Sequence, residues 1–135
     1  MSYRVASSGC NLLSRIIFAC SAASFSLAEA AESGGWYSKA QAEEGETTYN
    51  TYCAQCHGPD LDGALGPPLK GEQFLSKWKT GAELYQTTSQ TMPPTNPGTV
   101  PDDDLVKIMA FIFSENGLPG GAELTKGNLG RPLEP

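Results

Sequence analysis

The cysteines set the tightest limit on this chain. There are four in 135 residues, Cys10, Cys20, Cys53 and Cys56, and a single histidine, His57. The last two cysteines and the histidine form one run, Cys53-Ala54-Gln55-Cys56-His57. Thiols this close in sequence close too short a loop to staple a domain together. A lone histidine also removes mechanisms that need two imidazoles, such as H-E-x-x-H zinc sites and carboxylate–histidine di-iron bundles. Cohesion must come from a packed core or from something held by this run.

The first thirty residues read as an export signal. Arg4 and Arg15 supply positive charge, Ile16 to Leu27 an apolar stretch, and Ala28-Glu29-Ala30 an A-x-A cleavage pattern with the cut expected after Ala30. No apolar run reaches the roughly 18–20 residues that a bilayer crossing needs, so no span is expected. Cleavage would remove Cys10 and Cys20 together with Arg4, Arg15 and Glu29, leaving 7 basic and 14 acidic groups, a net charge of −7. With no cluster of Lys or Arg, that balance argues against nucleic acid and anionic membrane surfaces as partners. An exported chain of this size without a disulfide framework needs another staple, and a covalently held cofactor would be one.

Residues 31–38 read as a leader and the remainder as one all-α domain, 39–117, followed by an extended tail, 118–135. Ser38-x-x-Gln41 is a capping box that opens a helix over Lys39–Tyr52. Residues 57–71 are too rich in Gly, Pro and Asp for regular structure and form a loop. A short helix is expected over Glu72–Trp78, and Thr80 with Glu83 forms a second capping box before a helix over Gly81–Thr88. Four prolines exclude helix from Thr91 to Pro101. Asp102, Asp103 and Asp104 open the best-marked helix, needing no role beyond its N-terminus, and Gly117 closes it. Leu105, Ile108, Met109 and Ile112 mark its buried face. Nothing reads as a strand.

Cys53-x-x-Cys56-His57 is the pattern of c-type haem attachment. The spacing lets each thiol add to one vinyl group of a single porphyrin and carries the imidazole beneath the iron. A thioredoxin-like pair would require a strand–helix junction, and a zinc site would require further good ligands; after cleavage the chain offers neither. For the second axial position there are two thioethers after cleavage, Met92 and Met109. Met109 falls on the apolar helix face and reads as core. Met92 precedes Pro93-Pro94, whose stiff backbone would aim its sulfur, so Met92 is the expected ligand. Pro67 is the candidate carbonyl to accept the imidazole Nδ1–H. The Trp78 indole N–H is a candidate donor to a haem propionate. Asp60 and Asp62 read as a solvated loop rather than a cation site.

These residues resemble a class I c-type cytochrome. The likeness spans about residues 39–117 and rests on CAQCH, Gly66-Pro67-Pro68-Leu69, Thr91-Met92-Pro93 and the closing helix DDDLVKIMAFIFSEN. It implies three to four helices around one haem, electron transfer, a periplasmic location, and Gly45 and Tyr49 packing near Phe111 or Ile112 where the first helix crosses the last. CAQCHGPDLDGALGPPLKG, FLSKW, TMPP and a helix ending in NGLP are similar to small cytochromes found beside, or fused to, quinoprotein dehydrogenases. The expectation is therefore a periplasmic carrier of one covalent haem c, not an enzyme. It would accept electrons from a dehydrogenase and pass them to an oxidase or another cytochrome, through partners with a positive or apolar docking face. The rivals are a haem gas sensor and a peroxidase-like enzyme, each with a labile sixth ligand.

Overall fold

A computed structural model describes residues 34–134. The expected signal segment, 1–30, and part of the leader lie outside the described residues. The architecture is all-α: α1 (Lys39–Tyr52), α2 (Ala54–His57), α3 (Glu72–Leu75), α4 (Gly81–Thr91), α5 (Asp102–Glu115) and a 3₁₀ turn (Lys126–Asn128). No strand is found among the described residues, and an isolated bridge, Thr80 to Pro132, ties the tail to the start of α4.

Helix α1 opens on the expected capping box: Ser38 Oγ accepts from Gln41 N–H at 3.2 Å, and Gln41 Oε1 accepts from Ser38 N–H at 3.1 Å. Its apolar content is small, so its place is fixed by one crossing with α5. Gly45 lies so close to α5 that a Cβ there would fall 2.0 Å from the Lys107 carbonyl oxygen. Tyr49, fully buried, then packs against Phe111 with the rings tilted by 52° and 5.3 Å between centroids. The pairing is the one that the resemblance implied.

Helix α5 is buried almost all round, from Leu105 to Phe113 with Lys107 as the half-exposed exception. Four apolar positions marked one face, but α5 is the central pillar, contacted by α1, α4 and the tail. Its end is a Schellman motif: Gly117 N–H donates to Ser114 O and Leu118 N–H to Phe113 O, both at 3.1 Å, with Gly117 at φ +75°.

Four local expectations need correction. The helix expected over Gly81–Thr88 runs on to Thr91, because the first proline stands at position 93 and restricts only Met92 before it. The short helix ends at Leu75 and not at Trp78, and Lys77 and Trp78 continue as turns. Thr80 caps α4 as expected, but the Glu83 carboxylate accepts from Lys79 N–H at 2.9 Å instead of closing a box on Thr80. Asp102 does more than face a helix dipole: it accepts from Lys126 Nζ and from the Tyr85 hydroxyl, each at 2.6 Å. Those two donors hold its carboxyl below the ordinary range.

The tail after Gly117 is extended in backbone and folded back onto the domain. Leu118, Leu124, Leu129 and Leu133 are buried in it. The Gln41 amide clamps the Leu124 main chain from both sides, donating to its carbonyl at 2.8 Å and accepting from its N–H at 2.7 Å. Ala82 N–H, left free at the start of α4, donates to Leu129 O at 2.8 Å. Arg131 lies over the Trp36 ring, 4.0 Å from its centroid, and donates to Gly35 O, so tail and leader close on each other. Because the Gly45 contact is with backbone, Gly45→Ala must push α1 off α5. It should destabilise the holoprotein by about 1–3 kcal/mol, measured by denaturant unfolding.

Candidate functional site

The site grows from the C-terminal end of α1. Cys53 leaves helical geometry at φ −121°, and the chain resumes as the single turn α2, closed by His57 N–H donating to Cys53 O at 3.0 Å. His57 was expected to begin the loop; it is instead the last residue of this turn. The Tyr49 hydroxyl donates to Gly58 O at 2.7 Å, so α1 holds the exit of the turn as well as its entry. Burial, and after it the Cys53 thiol, pushes the Tyr49 hydroxyl up to about 12.

Loop 58–71 wraps back around the imidazole. Gly63 N–H donates to His57 O at 2.8 Å and Gly66 N–H to Cys56 O at 2.7 Å. Leu61 is fully buried at φ +59°, a left-handed conformation that costs energy for a side chain with a Cβ and is held by this packing. Gly66 stands against the ring itself: a Cβ there would lie 2.8, 2.9 and 3.2 Å from Cε1, Nδ1 and Nε2 of His57. The next residue supplies the ring's partner, since His57 Nδ1–H donates to Pro67 O at 2.8 Å. That bond orients the ring and, in the neutral imidazole, assigns the proton to Nδ1 and the lone pair to Nε2. The ring is 8% exposed.

All six residues singled out from the sequence, Cys53, Cys56, His57, Pro67, Trp78 and Met92, line one cavity. Its volume is about 220 Å³, and the atom-free space including the open mouth is about 970 Å³. Leu105, Ile108 and Ile112 of α5 contribute apolar wall, as do Phe74 and Val100. Met109 is fully buried and is not among the lining residues. Met92 caps the C-terminus of α4, its N–H donating to Thr88 O at 2.9 Å, with Pro93 and Pro94 beside it in the wall. The two thiols are not joined to each other, and burial, followed by the nearby Cys56, pushes the Cys53 thiol up to about 11.

One observation tests whether a porphyrin suits this cavity. The Trp78 Nε1–H is a buried side-chain donor without any hydrogen-bond partner among the described residues. An orphaned donor of this kind costs about 1–3 kcal/mol unless something accepts from it. A carboxylate-bearing apolar disc, fastened by two thiols and facing a free imidazole nitrogen, fits the donor set. Lys77 in the same wall adds a cation that sequence reasoning overlooked. Tyr52, the last residue of α1, also lies in the wall.

Residues 40–112 match the family described as cytochrome c oxidase, cbb3-type, subunit III. The chain belongs to this family. Neither the curated proteins nor the solved structures contain a significant match. Membership makes this a cytochrome c domain, a haem-based electron carrier, and implies covalently bound haem c. No helix among the described residues is long and apolar enough to cross a membrane. Gly66→Ala should drive the imidazole from its place against the loop. The expected result is a perturbed haem spectrum, with weakened axial-ligand signatures and lower haem retention, in the protein expressed with haem-maturation machinery.

Proposed function

We propose that this chain is an exported, periplasmic cytochrome carrying one haem, which passes single electrons between a dehydrogenase and a respiratory acceptor. Its support is one apolar cavity that has Cys53, Cys56, His57 and Met92 together in its walls. Haem c, when bound, supplies the one-electron ferric–ferrous couple.

Each residue has a definite task. Cys53 and Cys56 would hold the porphyrin, each through a thioether to one vinyl group, an addition of S–H in which no atom is lost. His57 offers Nε2 to the iron while Pro67 O holds Nδ1–H. Met92 would hold the iron through its thioether sulfur, which would favour the ferrous state and raise the potential. With both residues bound, the iron would have no position open to peroxide or oxygen. Trp78 Nε1–H and Lys77 are the donors for the porphyrin carboxylates.

The donor is proposed to be a quinoprotein dehydrogenase, given the likeness of CAQCHGPDLDGALGPPLKG, FLSKW and TMPP to the cytochromes that serve such enzymes. The acceptor is an oxidase or another cytochrome, and the family description itself is that of an oxidase subunit. The net charge of −7 after removal of residues 1–30 favours partners with a positive or apolar docking face.

Met92→Ala tests the ligand set and the rival sensor and peroxidase readings together. The wild-type ferric protein should show the weak far-red absorption of sulfur on iron, and its ferrous form should resist carbon monoxide. The variant should lose that band, bind carbon monoxide rapidly and have a lower potential. A wild type that is high-spin and binds carbon monoxide freely would favour the sensor or the peroxidase.

A further inference from the structure

We infer that Asn116, the C-cap of α5, is a positioning residue for the His57 imidazole and acts through loop 58–71. The inference rests on His57 being an axial ligand, as proposed above. The Asn116 side chain makes three hydrogen bonds. Nδ2 donates to Ile112 O at 2.7 Å and to Leu69 O at 3.0 Å, and Oδ1 accepts from Gly71 N–H at 2.9 Å. One amide thus ties two main-chain groups of the loop to the central helix.

Helix capping does not account for this arrangement. The end of α5 is already closed by the backbone bonds of Gly117 and Leu118, and the Leu69 and Gly71 contacts satisfy nothing in α5. Their effect falls on the loop. Pro67, whose carbonyl holds Nδ1–H, lies two residues before Leu69, with the ring-locked Pro68 between them. A displacement at Leu69 therefore reaches the Pro67 carbonyl with little chance of being absorbed.

Upstream, the loop is fastened at Gly63 and Gly66 to the main chain of His57 and Cys56. Downstream, before α3, the fastenings are Leu69 N–H to Leu61 O at 2.8 Å and the Asn116 clamp. The Lys70–Asp62 ion pair is exposed and adds little. Asn116 is thus the link between the rigid pillar of the fold and the acceptor of the ligand's proton. Loosening it should weaken Nδ1–H···O, lower the basicity of Nε2 and leave ferric iron less well stabilised.

The test compares holoprotein carrying Asn116→Ala, Asn116→Ser or Gln41→Ala with wild type. The Ser variant keeps a hydroxyl for the Ile112 carbonyl but cannot span Leu69 and Gly71, so it covers the case in which the Ala variant fails to accumulate. Gln41→Ala removes the clamp on Leu124 and serves as a control for general destabilisation. Two quantities are measured: the reduction potential, and the exchange rate of the His57 Nδ1–H proton in the ferrous state by NMR. Both Asn116 variants should exchange that proton about tenfold faster, as for the loss of one or two net hydrogen bonds, and their potential should rise. Gln41→Ala should change neither. Asn116 variants that are less stable but keep wild-type exchange and potential would overturn the inference, as would equal shifts in Gln41→Ala. A wild type without a low-spin, histidine-ligated spectrum would overturn the functional reading, and this inference with it.

Discussion

The crossing of α1 and α5 at Gly45 is the contact on which the site depends. A side chain at position 45 would meet the backbone of Lys107, so its absence lets the two helices come close enough for Tyr49 to pack against Phe111. That approach places Cys53, at the end of α1, in a common wall with Leu105, Ile108 and Ile112 of α5. The Tyr49 hydroxyl carries the constraint past the attachment run by holding Gly58. Asn116 carries it to the far side of the same loop from the end of α5. The imidazole is thus held from both ends of one helix pair.

The cavity shows how little polar machinery the chemistry requires. Its walls are mostly apolar and its polar groups are few: an imidazole bonded to Pro67 O, a thioether, two thiols, an indole N–H without an acceptor, and the side chains of Tyr52, Lys77, Thr87 and Thr88. Around a bound haem, apolar walls of this kind would exclude water and lower the local dielectric, which penalises the more charged oxidation state and raises the potential. The protein supplies distance and electrostatics to a redox couple that it does not itself contain.

Much of this was legible in the sequence because the governing signals are local. Ser38 and Gln41 fix the start of α1 through one turn of backbone, and Cys53, Cys56 and His57 lie within five residues. Pro67 and Met92 could be singled out because proline leaves the neighbouring backbone few conformations. The tail was not legible as core. Its buried leucines, at 118, 124, 129 and 133, follow neither helical nor strand spacing, and their partners are α1 and α4, far away in sequence. Asp102 looked like a helix-start acid because Tyr85 and Lys126 reach it only in three dimensions. Asn116 looked like an ordinary helix terminus, and its two loop partners lie more than 40 residues earlier.

The central claim is that Cys53 and Cys56 hold a haem covalently within this domain. The most direct measurement is the intact mass, under denaturing conditions, of the chain produced with haem-maturation machinery. The account predicts a mass raised by one haem that survives acidified organic extraction, and a non-covalent or absent haem in Cys53→Ala/Cys56→Ala. A wild-type chain that remains at its polypeptide mass, or whose haem is extracted, would contradict it.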